Sequence, residues 1–356
     1  MLSGCAARRA AVSPAAPPRL ARVNVSADRV TRAITGLRPF RPSGFVVRAD
    51  KLEDKLVIHN YGHGGGGITL SWGTAQLAAD LAAASPAREC AVLGCGVNGL
   101  STARLLQQRG YNPVIYARDL PPSTTSNVAG GYWDPVTVYD HTRVTPGFRQ
   151  QFGDAARFAF RRYQSLAGDE YAVRWLPVYS LSTTEPHSPP SPESPYSEVE
   201  ALFPEKKILA RGEHPFAAPY VYRRASMLIE PAVYLHALMR DYFVAGGRVV
   251  VREFADIREL MTLHEPLIFN CTGLGAGKLF GDAELIPIKG QLVFLLPQPE
   301  VQYMTIGPGD IYMFPRRDGI LLGGSHDRGV SNLDVDPEVT GRILRENAAL
   351  FNGMRA

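Results

Sequence analysis

The chain has 356 residues, 45% hydrophobic and 20% charged, with a formal net charge of +4. That length suits two domains, consecutive or interleaved, and that balance suits a packed core rather than disorder. The small charge, with no Lys/Arg run or basic–aromatic stripe, speaks against nucleic-acid binding. No stretch approaches the ~18 uninterrupted apolar residues that mark a spanning helix.

In chain order, residues 1–22 read as leader and linker. Leu2-Ser3-Gly4-Cys5 has the form of the end of a lipoprotein signal but lacks the apolar run that should precede it. Two readings stand: a trimmed signal on an envelope-anchored protein, or a chance match in a cytoplasmic one. Residues 6–18 are a linker under either. The four cysteines, Cys5, Cys90, Cys95 and Cys271, form no CxxC. They read as small buried thiols, with neither a disulfide framework nor a zinc site. Gly62-His63-Gly64-Gly65-Gly66-Gly67 asks for a special backbone conformation. Residues 183–197, rich in Pro and Ser, must form an exposed loop, because proline serves neither a ladder nor a helix interior.

One segment carries a strong local pattern. Cys90-Ala91-Val92-Leu93 is a short apolar strand, followed by Gly94-Cys95-Gly96-Val97-Asn98-Gly99 and a helical stretch over 100–108 that Gly110 ends. A second strand over 113–116 runs into Arg118-Asp119, and Asp119 lies 20 positions after Gly99. This is a dinucleotide-binding start in its full context. Gly94 permits the tight turn, Gly96 lets backbone amides approach a pyrophosphate, and Gly99 lets helix and strand pack closely. The amides of Val97 and Asn98 at the helix start offer unpaired donors to the anion, and Asp119, alone or with Arg118, suits the adenosine ribose. The pattern leaves NAD and FAD equally open. Further on, 266–270 reads as an apolar strand, and 311–315 with 320–322 as a hairpin around Arg316-Arg317-Asp318-Gly319.

Several other blocks resemble the D-amino-acid and D-aspartate oxidases. They are Thr124-Thr125-Ser126-Asn127-Val128-Ala129-Gly130-Gly131-Tyr132-Trp133-Asp134-Pro135, Asn270-Cys271-Thr272-Gly273, Tyr312-Met313-Phe314-Pro315 leading to Leu322-Gly323-Gly324, and Gly36-Leu37-Arg38-Pro39-Phe40-Arg41-Pro42. The most telling is His59-Asn60-Tyr61-Gly62-His63-Gly64-Gly65-Gly66-Gly67-Ile68-Thr69. In that family the GxGxxG opens the protein and the last two blocks close it. Here the closing segments come first, so the chain reads as a circular permutant joined through residues 82–88, with a helix over 340–351 and the strand after it at 23–33.

The resemblance implies an α/β fold: a Rossmann-type FAD-binding domain with an interleaved mixed-sheet substrate domain. The expected division is leader 1–22, substrate-domain segment 23–45, FAD-binding segments 46–135, substrate domain 136–225, FAD-binding domain 226–285 and substrate domain 286–356. FAD would be held non-covalently by Gly94, Gly96, Val97, Asn98, Gly99, Arg118 and Asp119, and by Thr124, Thr125, Ser126, Gly130 and Gly131. Cys271, Thr272, Gly273, His63, Gly64, Gly67, Ile68 and Thr69 would complete that set. The glycine run would lay main chain against the flavin edge where Cβ atoms would clash, with a helix dipole near Thr69 facing the reduced ring.

The same resemblance points to Arg38 for the substrate carboxylate, since a planar guanidinium fixes orientation as well as energy. A structural arginine between prolines is the competing reading, and it suits Arg41 better. Tyr312 would bond the same carboxylate and the Gly65 carbonyl the amine. The implied activity is oxidative deamination of D-amino acids to 2-oxo acid, ammonia and hydrogen peroxide, by hydride transfer from Cα to flavin N5. The partners are then a D-amino acid and molecular oxygen, with a homodimer as the assembly allowed. Alternatives are a glycine or sarcosine oxidase, a membrane-linked dehydrogenase and, from another class, an NAD(P)-dependent dehydrogenase. Pro308 stands where a lid tyrosine occurs in animal enzymes, Gly66 replaces an aromatic and Gly275 a tryptophan. Arg316 and Arg317 could favour an acidic substrate side chain.

Overall fold

A computed structural model of the chain describes residues 19–185 and 193–355. The signal-like start, the linker 6–18 and the middle of the Pro/Ser-rich stretch lie outside the described residues.

The first strands are β1 (Val30–Phe40), β2 (Val46–Leu52) and β3 (Lys55–Tyr61), followed by helix α1 (Gly67–Ala82). The GxGxxG unit comes next as β4 (Glu89–Leu93), α2 (Val97–Gln108) and β5 (Asn112–Ala117). After a single turn, α3 (Thr125–Val128), come α4 (Pro146–Ser165), β6 (Val173–Ser182), α5 (Tyr196–Glu200), β7 (Lys207–Leu209) and β8 (Tyr220–Ile229). The chain continues with α6 (Pro231–Val244), β9 (Arg248–Val251), β10 (Leu267–Asn270), α7 (Gly275–Phe280) and β11 (Ile286–Leu295). It closes with β12 (Met304–Ile306), β13 (Tyr312–Arg316), β14 (Gly319–Gly323), β15 (Asp327–Arg328) and α8 (Pro337–Asn352).

These strands form two sheets. One runs β2-β3-β10-β4-β5-β9 and is parallel except for the antiparallel edge strand β2. Its central strands read as unbroken apolar runs because both faces are covered: residues 90–93 and 267–270 are all buried. The other runs β1-β11-β14-β13-β12-β6-β8-β7 and is mixed, since β12 pairs with β6 in parallel while its other pairs are antiparallel. α1 and α2 pack over the parallel sheet, and α4 lies on α1 at Gly73, where a Cβ would stand 1.9 Å from the Ala155 carbonyl oxygen. Helix α4, expected with the substrate domain, therefore joins the parallel sheet's layer, and the division at 225/226 falls inside β8. Among the described residues no helix is long and apolar enough to cross a membrane.

The hairpin β13–β14 and the helix α8 form where the sequence places them. The strand expected over 23–33 begins late. Ser26-Ala27-Asp28-Arg29 makes a tight turn, closed by the Arg29 amide donating to the Ser26 carbonyl at 3.2 Å, and β1 starts at Val30. Small polar residues favour that turn over extended pairing.

Candidate active site

The carboxyl ends of parallel strands are where open α/β sheets leave a crevice, at the point where successive connections diverge. Here β4 leads by α2 to β5 on one side and lies against β10 on the other. A cavity of about 700 Å³ opens at that point, between the parallel sheet and the strands β1, β11 and β13 of the mixed sheet. Its size is ordinary for a cofactor pocket.

On the parallel-sheet side the wall comprises Gly94, Gly96, Val97, Asn98, Arg118, Asp119, Cys271, Thr272 and Gly273. The glycine run adds His63, Gly64, Gly65, Gly67 and Ile68, and the loop through α3 adds Thr124, Thr125, Ser126 and Gly130. Arg38 and Tyr312 line it from the mixed sheet. Three of the expected residues lie behind the wall. Gly99 backs the turn, for a Cβ there would be 2.0 Å from the Gly94 carbonyl oxygen. Gly131 has φ +90 and exchanges backbone contacts with Ile229, whose amide donates to the Gly131 carbonyl at 2.8 Å. Thr69 is buried in the first turn of α1.

Three residues that sequence reasoning missed also line the cavity: Arg252, Glu253 and Phe254, just past β9. Arg118 joins them, pairing with Asp119 at 2.7 Å and with Glu253 at 3.2 Å. A glycine turn (Gly246-Gly247) followed by a Val-rich run was the available signal for β9. Only the sheet order puts its end beside β5.

The local chemistry fits an anionic dinucleotide. Gly94 ends the β4–β5 ladder, its amide donating to the Tyr116 carbonyl at 2.7 Å, and its φ of +104 turns the chain toward α2. The Val97 amide donates to Ser126 Oγ at 3.0 Å, so the α3 loop is tied to the start of α2. Among the described residues, Asn98 Oδ1 is buried without a partner, and a Cβ on Gly67 or Gly273 would meet nothing closer than 3.9 Å. An unmet polar atom and open space beside glycines are what a bound cofactor would fill.

His63 is fully buried and stacks on Phe45, with ring centroids 5.3 Å apart. Its Nε2 lies 3.0 Å from Thr74 Oγ1 and its Nδ1 lies 3.2 Å from Asn98 Nδ2. An amide NH₂ can only donate, so Nδ1 accepts and Nε2 carries the proton. Burial pushes this imidazole down to about 3, and neither nitrogen is left for a covalent bond to a cofactor. Burial also raises the Cys271 thiol to about 12, so it sits in the wall as an inert neutral group.

Arg41 is structural: its guanidinium pairs with Asp282 at 2.9 Å and with Glu284. Arg38 differs. Its Nη1 donates to the Ser325 carbonyl at 3.2 Å, and among the described residues no carboxylate pairs with it. Tyr312 is held beside it, stacked on Phe314 with centroids 4.8 Å apart, and burial raises its hydroxyl while the nearby Arg38 lowers it. Arg316 and Arg317 are committed elsewhere. Arg316 forks onto Asp318 with two contacts of 2.9 Å and donates to the Ala129 carbonyl at 3.1 Å, and Arg317 pairs with Asp169. Neither lines the cavity, which removes the expected bias toward acidic side chains.

The fold and this cavity define a dinucleotide-binding protein. The family model described as FAD dependent oxidoreductase matches residues 6–81 and 89–356, and the chain belongs to that family, with FAD as its cofactor. Among curated relatives, it is 30% identical over 270 residues to a D-amino-acid oxidase of Rubrobacter xylanophilus, covering 74% of this chain and 77% of the relative. It is 29% identical over 268 residues to the human D-aspartate oxidase, covering 73% and 75%. Among solved structures, the glycine oxidase of Geobacillus kaustophilus superposes with a TM-score of 0.56 at 17% identity, covering 74% of this chain and 78% of that one. An L-α-glycerophosphate oxidase of Mycoplasma pneumoniae with FAD bound gives a TM-score of 0.52 at 13% identity, covering 76% and 80%. At such identities these two likenesses speak for the fold alone.

Proposed function

We propose that the chain oxidises D-amino acids with compact neutral side chains, yielding 2-oxo acid, ammonia and hydrogen peroxide. The observation that carries this reading is Arg38: a guanidinium with no carboxylate partner among the described residues, lining the same cavity as the Gly94–Asn98 turn. Preference for the D-isomer is supported by the names of the curated relatives.

In this reading the Arg38 fork takes the substrate carboxylate, and the Tyr312 hydroxyl donates a second bond to it. The Gly65 carbonyl accepts from the amine, which fixes the third point needed to tell one isomer from the other. Bound FAD would supply the two-electron oxidation at Cα, with molecular oxygen as the final electron acceptor. The amine gives up a proton as the C–N bond gains double-bond character, and water hydrolyses the resulting imine to the 2-oxo acid and ammonia. Leu292 and Val128 line the cavity together with Arg38 as apolar walls, which favours uncharged side chains. His63 keeps Asn98 in place through its Nδ1 and takes no proton from substrate. The start of α2 past Val97, whose own amide is taken by Ser126 Oγ, and the open faces of Gly67 and Gly273 would hold the cofactor.

We also infer that the chain order is a circular permutation of the family's. Three observations support it. The family match breaks at residues 82–88, the short link between α1 and β4. The described ends touch, with Arg22 Nη2 donating to the Met354 carbonyl at 2.6 Å, and the hydroxyl of Tyr303 holds the Ala21 carbonyl at 2.7 Å.

The test is a panel of D- and L-amino acids screened for peroxide release by the yellow holoprotein. The expected result is turnover of small neutral D-isomers above all others. Preference for D-aspartate would overturn the side-chain assignment, and equal turnover of L-isomers the whole reading.

A further inference from the structure

We infer that Gly290 is a positioning residue for the Arg38 guanidinium, a bare floor on which the fork lies. The inference rests on the reading of Arg38 as the carboxylate clamp. The pairing of β1 with β11 sets Gly36 opposite Gly290 and Arg38 opposite Ile288. Arg38 is thus diagonal to Gly290 on one face of the ribbon, a separation that a long side chain bridges. The three heavy atoms nearest to a Cβ built on Gly290 all belong to Arg38: Nη1 at 2.5 Å, Nη2 at 2.6 Å and Cζ at 2.7 Å. A methyl group and the fork therefore claim the same space.

The rest of the seat is rigid. Ser325, whose carbonyl accepts from Arg38 Nη1, is pinned to the residue after Gly290: the Gln291 amide donates to Ser325 Oγ at 3.2 Å, and that hydroxyl donates to Asp327 at 2.7 Å. The Tyr312 ring closes another side, resting where a Cβ on Gly323 would be 1.9 Å from its Cζ. With floor and sides fixed, the part free to give way to a methyl at 290 is the guanidinium itself. A displaced fork loses its in-plane alignment with a carboxylate while the strand pairing stays intact. Gly290→Ala should thus weaken substrate binding without unfolding the protein.

The experiment compares Gly290→Ala, Arg38→Ala and the double variant as FAD-loaded proteins. Three quantities are read: flavin content with Tm, KM and kcat for D-alanine, and the affinity for pyruvate from the change in flavin absorbance. The expected result for Gly290→Ala is full flavin content, Tm within ~3 °C, an about tenfold rise in KM and an about tenfold loss of pyruvate affinity. Added to Arg38→Ala, the same change should be silent to within about twofold, since the group it displaces is gone. Unchanged binding in Gly290→Ala, lost flavin, or an equal effect in the Arg38→Ala background would each overturn the proposal while leaving Arg38 as the clamp. If Arg38→Ala itself binds pyruvate as the parent does, the carboxylate reading falls, and this inference falls with it.

Discussion

On the parallel-sheet side of the cavity, the space a Cβ would take at Gly67 or Gly273 holds no atom of the described residues closer than 3.9 Å. On the mixed-sheet side the corresponding space is filled, by the Arg38 guanidinium at Gly290 and by the Tyr312 ring at Gly323. The first pair of glycines leaves open space beside the cavity, and the second pair leaves room for the chain's own side chains. A third kind, Gly99, faces neither: its missing Cβ admits the Gly94 carbonyl oxygen at 2.0 Å. One residue type thus does three jobs around one cavity, and the response to a single methyl group should tell them apart.

The largest effect is expected at Gly99. The obstructing atom is backbone, so no rotamer change relieves the clash, and Gly99→Ala should cost about 3 kcal/mol or more. Purified Gly99→Ala protein should carry little flavin and melt well below the parent. Normal flavin content would show that the turn tolerates a shift. Gly67→Ala sharpens the contrast, because its methyl projects into open space. It should leave the Tm of the flavin-free protein unchanged and weaken FAD binding about tenfold, roughly the worth of one displaced charge-assisted contact. Loss of stability with intact FAD affinity would assign Gly67 to the Gly99 class.

A different kind of effect, read against pH, concerns His63, which borders the cavity while both ring nitrogens face the protein. Its folded-state value of about 3 lies below the ordinary 6.5, so between these limits the unfolded chain holds a proton that the folded one does not. Its contribution to stability is complete above about pH 6.5 and is lost as pH falls toward 3, by ~1.4 kcal/mol per pH unit. His63→Gln should flatten the pH dependence of denaturant midpoints over that window by about this slope. An unchanged slope would mean that His63 already titrates in the folded protein.

What was legible in the sequence follows from distance along the chain. The turn from Gly94 to Gly99 is a local pattern, and the roles assigned to Gly94 and Gly99 match the contacts their backbones make. Arg38 could be named only through resemblance. Nothing local separates it from Arg41, and the difference lies in Asp282 and Glu284, which reach Arg41 from the far side of the sequence. Gly290 was invisible for the same reason, since its importance exists only once β1 and β11 are in register. Arg316 sits at a turn, where an arginine is more often solvated than functional, and there it finds Asp318 two residues on as its partner. Arg252, Glu253 and Phe254 depend on the order of strands in the parallel sheet, which periodicity does not encode.

The proposed function requires Arg38 to grip the acid end of the molecule that reduces the flavin. The most direct measurement is anaerobic mixing of FAD-loaded parent and Arg38→Ala proteins with D-alanine or L-alanine, followed at the flavin absorbance band. The parent should bleach with D-alanine and stay yellow with L-alanine. The variant should hold its flavin yet bleach at least ~100-fold more slowly at the same concentration, as expected for the loss of two charge-assisted bonds. Bleaching of the variant at the parent's rate, or of the parent by both isomers alike, would contradict it.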